Sequence, residues 1–400
     1  MKNLSNSCIS VPRSGIRKMF EIAGSKPNLI SFGLGEPSFD TFDAVKQAGS
    51  GTILADNLMR YTSVTGIPPL KEAIAKQYSS QNVTANQVIV GPSATTILYL
   101  TFLTLINPGD EVIIFSPNFT VYPAQITALG GKPIFINLDA ASDFEISDNT
   151  VSLVREAVTP KTKAIIINNP SNPTGSITPA NMLKKLADIA IENDLYVISD
   201  EVYEAYNYTE EPVVSITNVY EDTIKAEQIR DLTIIVNSFS KTFAMTGWRI
   251  GYLVASLKFV ELASKMAEHL YASTNTASQY AALEALDSSH LQEISAMRDF
   301  YNINRLMIEE ILGDTLKISK MSGAFYSFIA VPNEKSEVGT DLAGGTDLAG
   351  DDEKFAMELI DKCEVAVTPG SAFGEAGKGF VRISYVNNHE EMKRGLELIK

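Results

Sequence analysis

One lysine stands among small hydroxyl residues in V-N-S-F-S-K-T-F-A-M-T-G-W-R-I-G-Y, residues 236–252, and an arginine follows it by eight positions. The apolar run at 232–236 has the pattern of a buried strand. It leads into Ser238 and Ser240, and Lys241 comes next. A lysine among small side chains at a strand's exit can face a cleft rather than water. Desolvation or neighbouring cations lower its pKa, and the neutral amine is a nucleophile. Ser238 offers a hydroxyl and Arg249 a rigid guanidinium fork, which are the groups that bind a phosphate monoester. One amine for an imine, with phosphate ligands close by, suggests pyridoxal phosphate. A lone Ser-x-Ser-Lys is common, however, and most lysines are solvated surface charges. The rest of the chain has to supply the cofactor's other needs.

Several candidates do so, each just after an apolar run. Residues 88–90 read as a strand ending in Gly91-Pro92-Ser93-Ala94-Thr95-Thr96, ahead of a long apolar helix. Backbone amides at that helix start favour an anion, a second place for a phosphate. The strand at 112–116 is followed by Phe119 and Tyr122. Aromatics there are usually core anchors, but one could stack on a flat heterocycle. After the strand at 164–168 comes N-P-S-N-P-T-G, where prolines hold Asn172 between rigid neighbours. The strand at 195–199 runs into Asp200-Glu201-Val202-Tyr203. An acid buried there needs a partner. A protonated pyridine nitrogen opposite Asp200 is one, and Tyr203 could donate its phenol to the ring's 3-oxygen. Arg382, in V-R-I-S-Y, alternates with apolar neighbours. It is either a solvated strand arginine or a fork for a substrate carboxylate. Gly33 and Gly35, in L-I-S-F-G-L-G-E-P-S-F-D, mark a tight turn whose amide could approach a ligand closely.

The elements that must position these residues alternate strand and helix as far as Ser256. Strands written as near-continuous apolar runs argue for a mostly parallel sheet covered on both faces. Ligands bind at the carboxyl ends of such strands. Helical stretches at 259–271, 279–286 and 290–312 follow, then short strands at 324–331, 365–368 and 379–385. The fold class expected is therefore α/β, a large domain with a mostly parallel sheet flanked by helices, plus a smaller α+β domain. Residues 1–45 are expected as an N-terminal segment packing with the small domain, 46–285 as the large domain and 286–400 as the small one. A helix is expected around Ile16, Met19, Phe20 and Ala23. The tandem G-T-D-L-A-G at 339–350 reads as a flexible acidic loop without catalytic duty.

Composition narrows the classes. A chain of 400 residues that is 45% hydrophobic suits a two-domain globular protein. A net charge of −15 disfavours non-specific nucleic-acid binding. No run of 18 apolar residues marks a membrane span, and Cys8 and Cys363 alone make no disulfide framework, so the cytoplasm is the expected compartment. Three histidines without ligand spacing point to no metal site.

Taken in order, G-L-G-E-P-S-F-D, N-P-S-N-P-T-G, S-D-E-V-Y, S-F-S-K-T-F-A-M-T-G-W-R-I-G, P-G-S-A-F-G and V-R-I-S-Y resemble the class I aminotransferases of the aspartate/aromatic kind, fold type I pyridoxal-phosphate enzymes. The resemblance implies that Lys241 forms the imine with pyridoxal 5'-phosphate and moves the proton at the substrate's Cα. It implies that Asp200 pairs with the ring nitrogen, that Asn172 and Tyr203 contact the 3-oxygen, and that Phe119 stacks on the ring. Ser238, Arg249 and the amides of Ser93, Ala94 and Thr95 would hold the phosphate. Tyr61 would reach the phosphate in a neighbouring subunit, making the active unit a homodimer with shared sites. Arg382 and the Gly35 backbone would take the α-carboxylate. The reaction implied moves an amino group from an L-amino acid to a 2-oxo acid, 2-oxoglutarate among them, in ping-pong order. Aspartate-selective relatives often carry a basic residue near the phosphate loop, where this chain has Ser93-Ala94-Thr95-Thr96, so aromatic, alanine-type and broad specificities stay open. A lyase or synthase of the same fold would share the lysine, aspartate and arginine. A non-catalytic binding module would not need the full ligand set.

Overall fold

The structure is a computed structural model that describes residues 4–11, 29–221, 224–332 and 351–400. The helix expected around residues 16–23 and the repeat at 339–350 lie outside the described residues. Strand β1 (Ile30–Ser31) precedes the main sheet of β2 (Val88–Gly91), β3 (Glu111–Ser116), β4 (Lys132–Asn137), β5 (Thr162–Asn168), β6 (Tyr196–Asp200), β7 (Thr233–Ser238) and β8 (Gly251–Val254). Across the sheet the order is β2-β8-β7-β6-β5-β3-β4. Only β8 runs against the direction of the other six strands.

The period of two along each strand explains why the runs are apolar throughout. Val112 and Ile114 of β3 join Ile166, Ile198 and Val236 in a core shared with the helices Ala94–Leu105 and Leu257–Leu270. Their neighbours Ile113 and Phe115 join Ile165, Ile167 and Val197 in another, under the helices Asp148–Ala157, Ala180–Glu192 and Ile224–Leu232. Both faces of the sheet are therefore dry. Each fully buried aliphatic side chain contributes about 1.5–3 kcal/mol.

The C-terminal part adds β9 (Tyr326–Ala330), β10 (Val365–Ala366), β11 (Thr368–Pro369) and β12 (Phe380–Ser384). Strands β11, β12 and β9 form an antiparallel sheet. Strand β1 pairs in parallel with β10, and Ser384 N donates to Phe32 O at 2.8 Å, so the segment at 30–32 is stitched to the C-terminal part.

Strand β8 was not foreseen. Four residues led by a glycine give little periodicity to read. The strand brings the chain back beside β7, so that Arg249 arrives at the same end of the sheet as Lys241.

Candidate active site

The carboxyl ends of β2, β3, β5, β6 and β7 open on one cleft of about 420 Å³. It is lined by Ser93, Ala94, Thr95, Phe119, Asn172, Asp200, Tyr203, Ser238, Lys241, Arg249, Gly35 and Arg382. Every residue singled out in the sequence is thus brought together except Tyr61. Tyr61 is 91% exposed and lies outside the cleft lining.

Lys241 sits in the one-turn helix Phe239–Thr242 directly after β7. Ser238 caps that turn by accepting from Ser240 N at 3.1 Å. The lysine's Nζ donates to Gly35 O at 2.5 Å. Loss of water lowers its pKa to about 8. The Glu36 carboxylate opposes that shift, and Arg382 and Arg249 add to it.

Asp200 ends β6 and is almost wholly buried. Burial pushes its carboxyl up to about 6. The hydroxyl of Tyr122 donates to Oδ2 at 2.5 Å and Val202 N to Oδ1 at 3.4 Å, and both favour the ionised form. No cation among the described residues is paired with it. Tyr122, whose place in the sequence fits either a core anchor or a stacking aromatic, is thus a hydrogen-bond partner of Asp200. Its position three residues beyond Phe119, at the mouth of a βα loop, was the available signal. Phe119 is half-buried and meets Tyr122 edge-on at 5.6 Å between ring centroids.

Ser93 has φ +96°, in the left-handed region, and caps the helix Ala94–Leu105 through its hydroxyl. Gly251 in β8 lies against that turn. A Cβ there would fall 2.6 Å from Ala94 N and 2.9 Å from Asn237 O, so only glycine lets the helix start sit beside β8. Arg249 is exposed at the cleft mouth, with φ +52° and Nη1 donating to Thr246 O at 2.8 Å. Helix amides, the Ser238 hydroxyl and the Arg249 fork thus line one end of the cleft.

Arg382 approaches from β12 and is 3% exposed. Its Nη1 donates to Asn172 Oδ1 at 3.0 Å and its Nη2 to Gly33 O at 2.6 Å. Its Nε is buried with no partner. The guanidinium lies between aromatic faces, 4.4 Å from the Tyr326 ring centroid and 4.7 Å from that of Phe373. A buried cation held only by neutral acceptors and rings is set to receive an anion. Asn172 also donates through Nδ2 to Tyr203 Oη at 3.4 Å. Gly33, not singled out beyond its turn, is the backbone partner of Arg382. Gly35 instead presents its carbonyl to Lys241.

The fold and this cleft define an α/β enzyme with a desolvated amine, a buried acid and two arginines around a slot with an aromatic wall. The model of the family described as "Aminotransferase class I and II" matches residues 27–399. The chain is 34% identical over 389 residues to a probable aspartate/prephenate aminotransferase of Aquifex aeolicus, covering 96% of this chain and 93% of that one. It is 36% identical over 392 residues to an aspartate aminotransferase of Pyrococcus abyssi, covering 96% and 94%. Among solved structures, the aspartate aminotransferase of Thermotoga maritima matches with a TM-score of 0.87 at 33% identity, over 99% of this chain and 98% of that one. An aromatic aminotransferase of Pyrococcus horikoshii matches with 0.83 at 32%, over 96% and 97%. The chain belongs to the aminotransferase class I and II family. It is a transaminase of fold type I, and its relatives do not favour a lyase.

Proposed function

We propose that this transaminase uses pyridoxal 5'-phosphate, held by the cleft residues above, to move the α-amino group of an L-amino acid to a 2-oxo acid. The observation that carries the reading is the meeting of a lowered lysine, a raised aspartate and a buried arginine with a free Nε in one cleft. The slot suits the cofactor. Phosphate donors stand at the end formed by Ser93, Ala94, Thr95, Ser238 and Arg249, Phe119 supplies a ring face, and Asp200 is a carboxylate without a cation. When bound, the ring supplies an electron sink for the carbanion at the substrate's Cα.

The chain's own residues supply the rest. Raising Asp200 from 3.8 to about 6 corresponds to about 3 kcal/mol against its ionised form. A cation at contact distance is worth about 4 kcal/mol at an effective dielectric near 20. The pairing therefore outweighs the burial, and Asp200 holds a proton on the ring nitrogen. Lys241, with a pKa of about 8, is partly neutral near neutral pH and would take the proton from the substrate's Cα and deliver it to the cofactor's C4′. Tyr203 and Asn172 address the ring's 3-oxygen. Arg382 holds the substrate's α-carboxylate in a charge-assisted fork, with the Gly35 backbone beside it.

Relatives of this chain are named for aspartate, prephenate and aromatic substrates. Among the described residues, the lining of this cleft includes no cations beyond Lys241, Arg249 and Arg382. An aromatic or broad amino donor fits that lining. Ile53, Leu54, Leu58, Met59 and Tyr61 are exposed in one short stretch. Ile53 and Met59 share a hollow with Arg249, which supports a homodimer in which Tyr61 completes the partner's phosphate site. Two unpaired cysteines suit the cytoplasm.

Incubation with nitrogen-labelled glutamate and an aromatic 2-oxo acid tests the reaction. The label is expected in the aromatic amino acid. Release of free ammonia without transfer would contradict the proposal.

A further inference from the structure

Tyr326, one of the two rings against the Arg382 guanidinium, also touches Tyr203 and Gly35. It lies in β9, is fully buried, and lines the cleft. Its hydroxyl is 2.8 Å from Tyr203 Oη. Its ring faces the Arg382 guanidinium at 4.4 Å. Gly35 packs so tightly against it that a Cβ at Gly35 would overlap the Tyr326 hydroxyl.

The geometry closes a loop. Arg382 bonds Asn172 at 3.0 Å, Asn172 bonds Tyr203 at 3.4 Å, Tyr203 bonds Tyr326 at 2.8 Å, and Tyr326 faces Arg382 again. Counting donors within this loop leaves two directions for one proton. A phenol oxygen has one proton and two accepting positions. Asn172 Nδ2 fills one accepting position on Tyr203. If Tyr326 donates, it fills the other, and the Tyr203 proton has only the cleft to point into. If Tyr203 donates to Tyr326 instead, its proton is used inside the protein and none is left for a ligand. The cation over the Tyr326 ring draws electron density from that phenol and favours it as the donor.

Resting on the cofactor reading above, we infer that Tyr326 is a positioning residue: its hydroxyl donates to Tyr203 and so aims the Tyr203 proton at the 3-oxygen of the bound ring. Because its face carries Arg382, the same side chain ties that proton's direction to the carboxylate fork. Tyr326 belongs to the C-terminal sheet and Tyr203 to the loop after β6, so the contact also joins the two parts of the chain at the cleft.

The test is a pH titration of the visible absorption band of the cofactor-loaded protein, for the parent, Tyr326→Phe, Tyr203→Phe and the double variant. A donor on the 3-oxygen stabilises its ionised form, so weakening that donor raises the midpoint. Tyr326→Phe keeps the ring and removes only the hydroxyl. It is expected to raise the midpoint by roughly half to one pH unit. The double variant is expected to match Tyr203→Phe alone, since Tyr326 acts through Tyr203. A Tyr326→Phe midpoint equal to the parent's, or a shift that adds in full to that of Tyr203→Phe, overturns the inference and leaves the cofactor reading intact. A parent protein with no visible band overturns both.

Discussion

At the scale of single residues the cleft works by opposed displacements. Asp200 is pushed up by burial and Lys241 is pushed down by it, so each lies nearer neutrality than in water. Tyr122 limits the first displacement, because its hydroxyl donates to the Asp200 carboxylate. A hydrogen bond to a charged group is worth about 1.5–3 kcal/mol, which is about one to two pH units. In Tyr122→Phe the affinity of the cofactor-free protein for pyridoxal phosphate, measured from pH 5 to 9, should therefore break at a higher pH than in the parent. An unmoved break would mean that Asp200 does not govern binding. Such a contact is invisible in sequence. Tyr122 and Asp200 are 78 positions apart, and only the register of β3, β5 and β6 brings them together.

At the scale of elements, the strand ends carry the chemistry and the packing behind them sets its precision. Gly251 is one example. Its missing Cβ makes room for the Ser93–Ala94 turn, and overpacking of that kind costs about 1–3 kcal/mol. Gly251→Ala should weaken binding of pyridoxal phosphate by about tenfold or more and leave binding of phosphate-free pyridoxal nearly unchanged. Equal losses for both would place the damage outside the phosphate end. Most of these elements were legible beforehand. Five of the six parallel strands of the main sheet read as apolar runs because both of their faces are buried, and the candidate site residues stood where those runs stop. Strand β8 was hidden by its length. The roles of Tyr122 and Tyr326 were hidden because an aromatic beside a strand has the same pattern whether it fills a core or aims a proton.

For the molecule as a whole, the buried acids predict how stability follows pH. Asp200 rises to about 6 and Glu201, held by the hydroxyls of Ser199 and Ser215, to about 7, burial being the main cause in each case. Between about pH 4 and 7 the folded, cofactor-free protein therefore binds more protons than the unfolded chain, and its stability falls as pH rises. Thermal unfolding at pH 5 and pH 7.5 should show this decline. The gain in melting temperature on adding cofactor should be larger at pH 7.5, where Asp200 is ionised and needs a cation. A gain that shrinks at the higher pH would contradict the pairing. On the proposed function, the chain as a whole would put one amine, Lys241, where a ring held at its other end by Asp200 can reach it. Borohydride reduction of the cofactor-loaded protein, followed by peptide mass mapping, tests that directly. The pyridoxyl label is predicted on the peptide containing Lys241 and on no other lysine; a label fixed elsewhere would contradict the account.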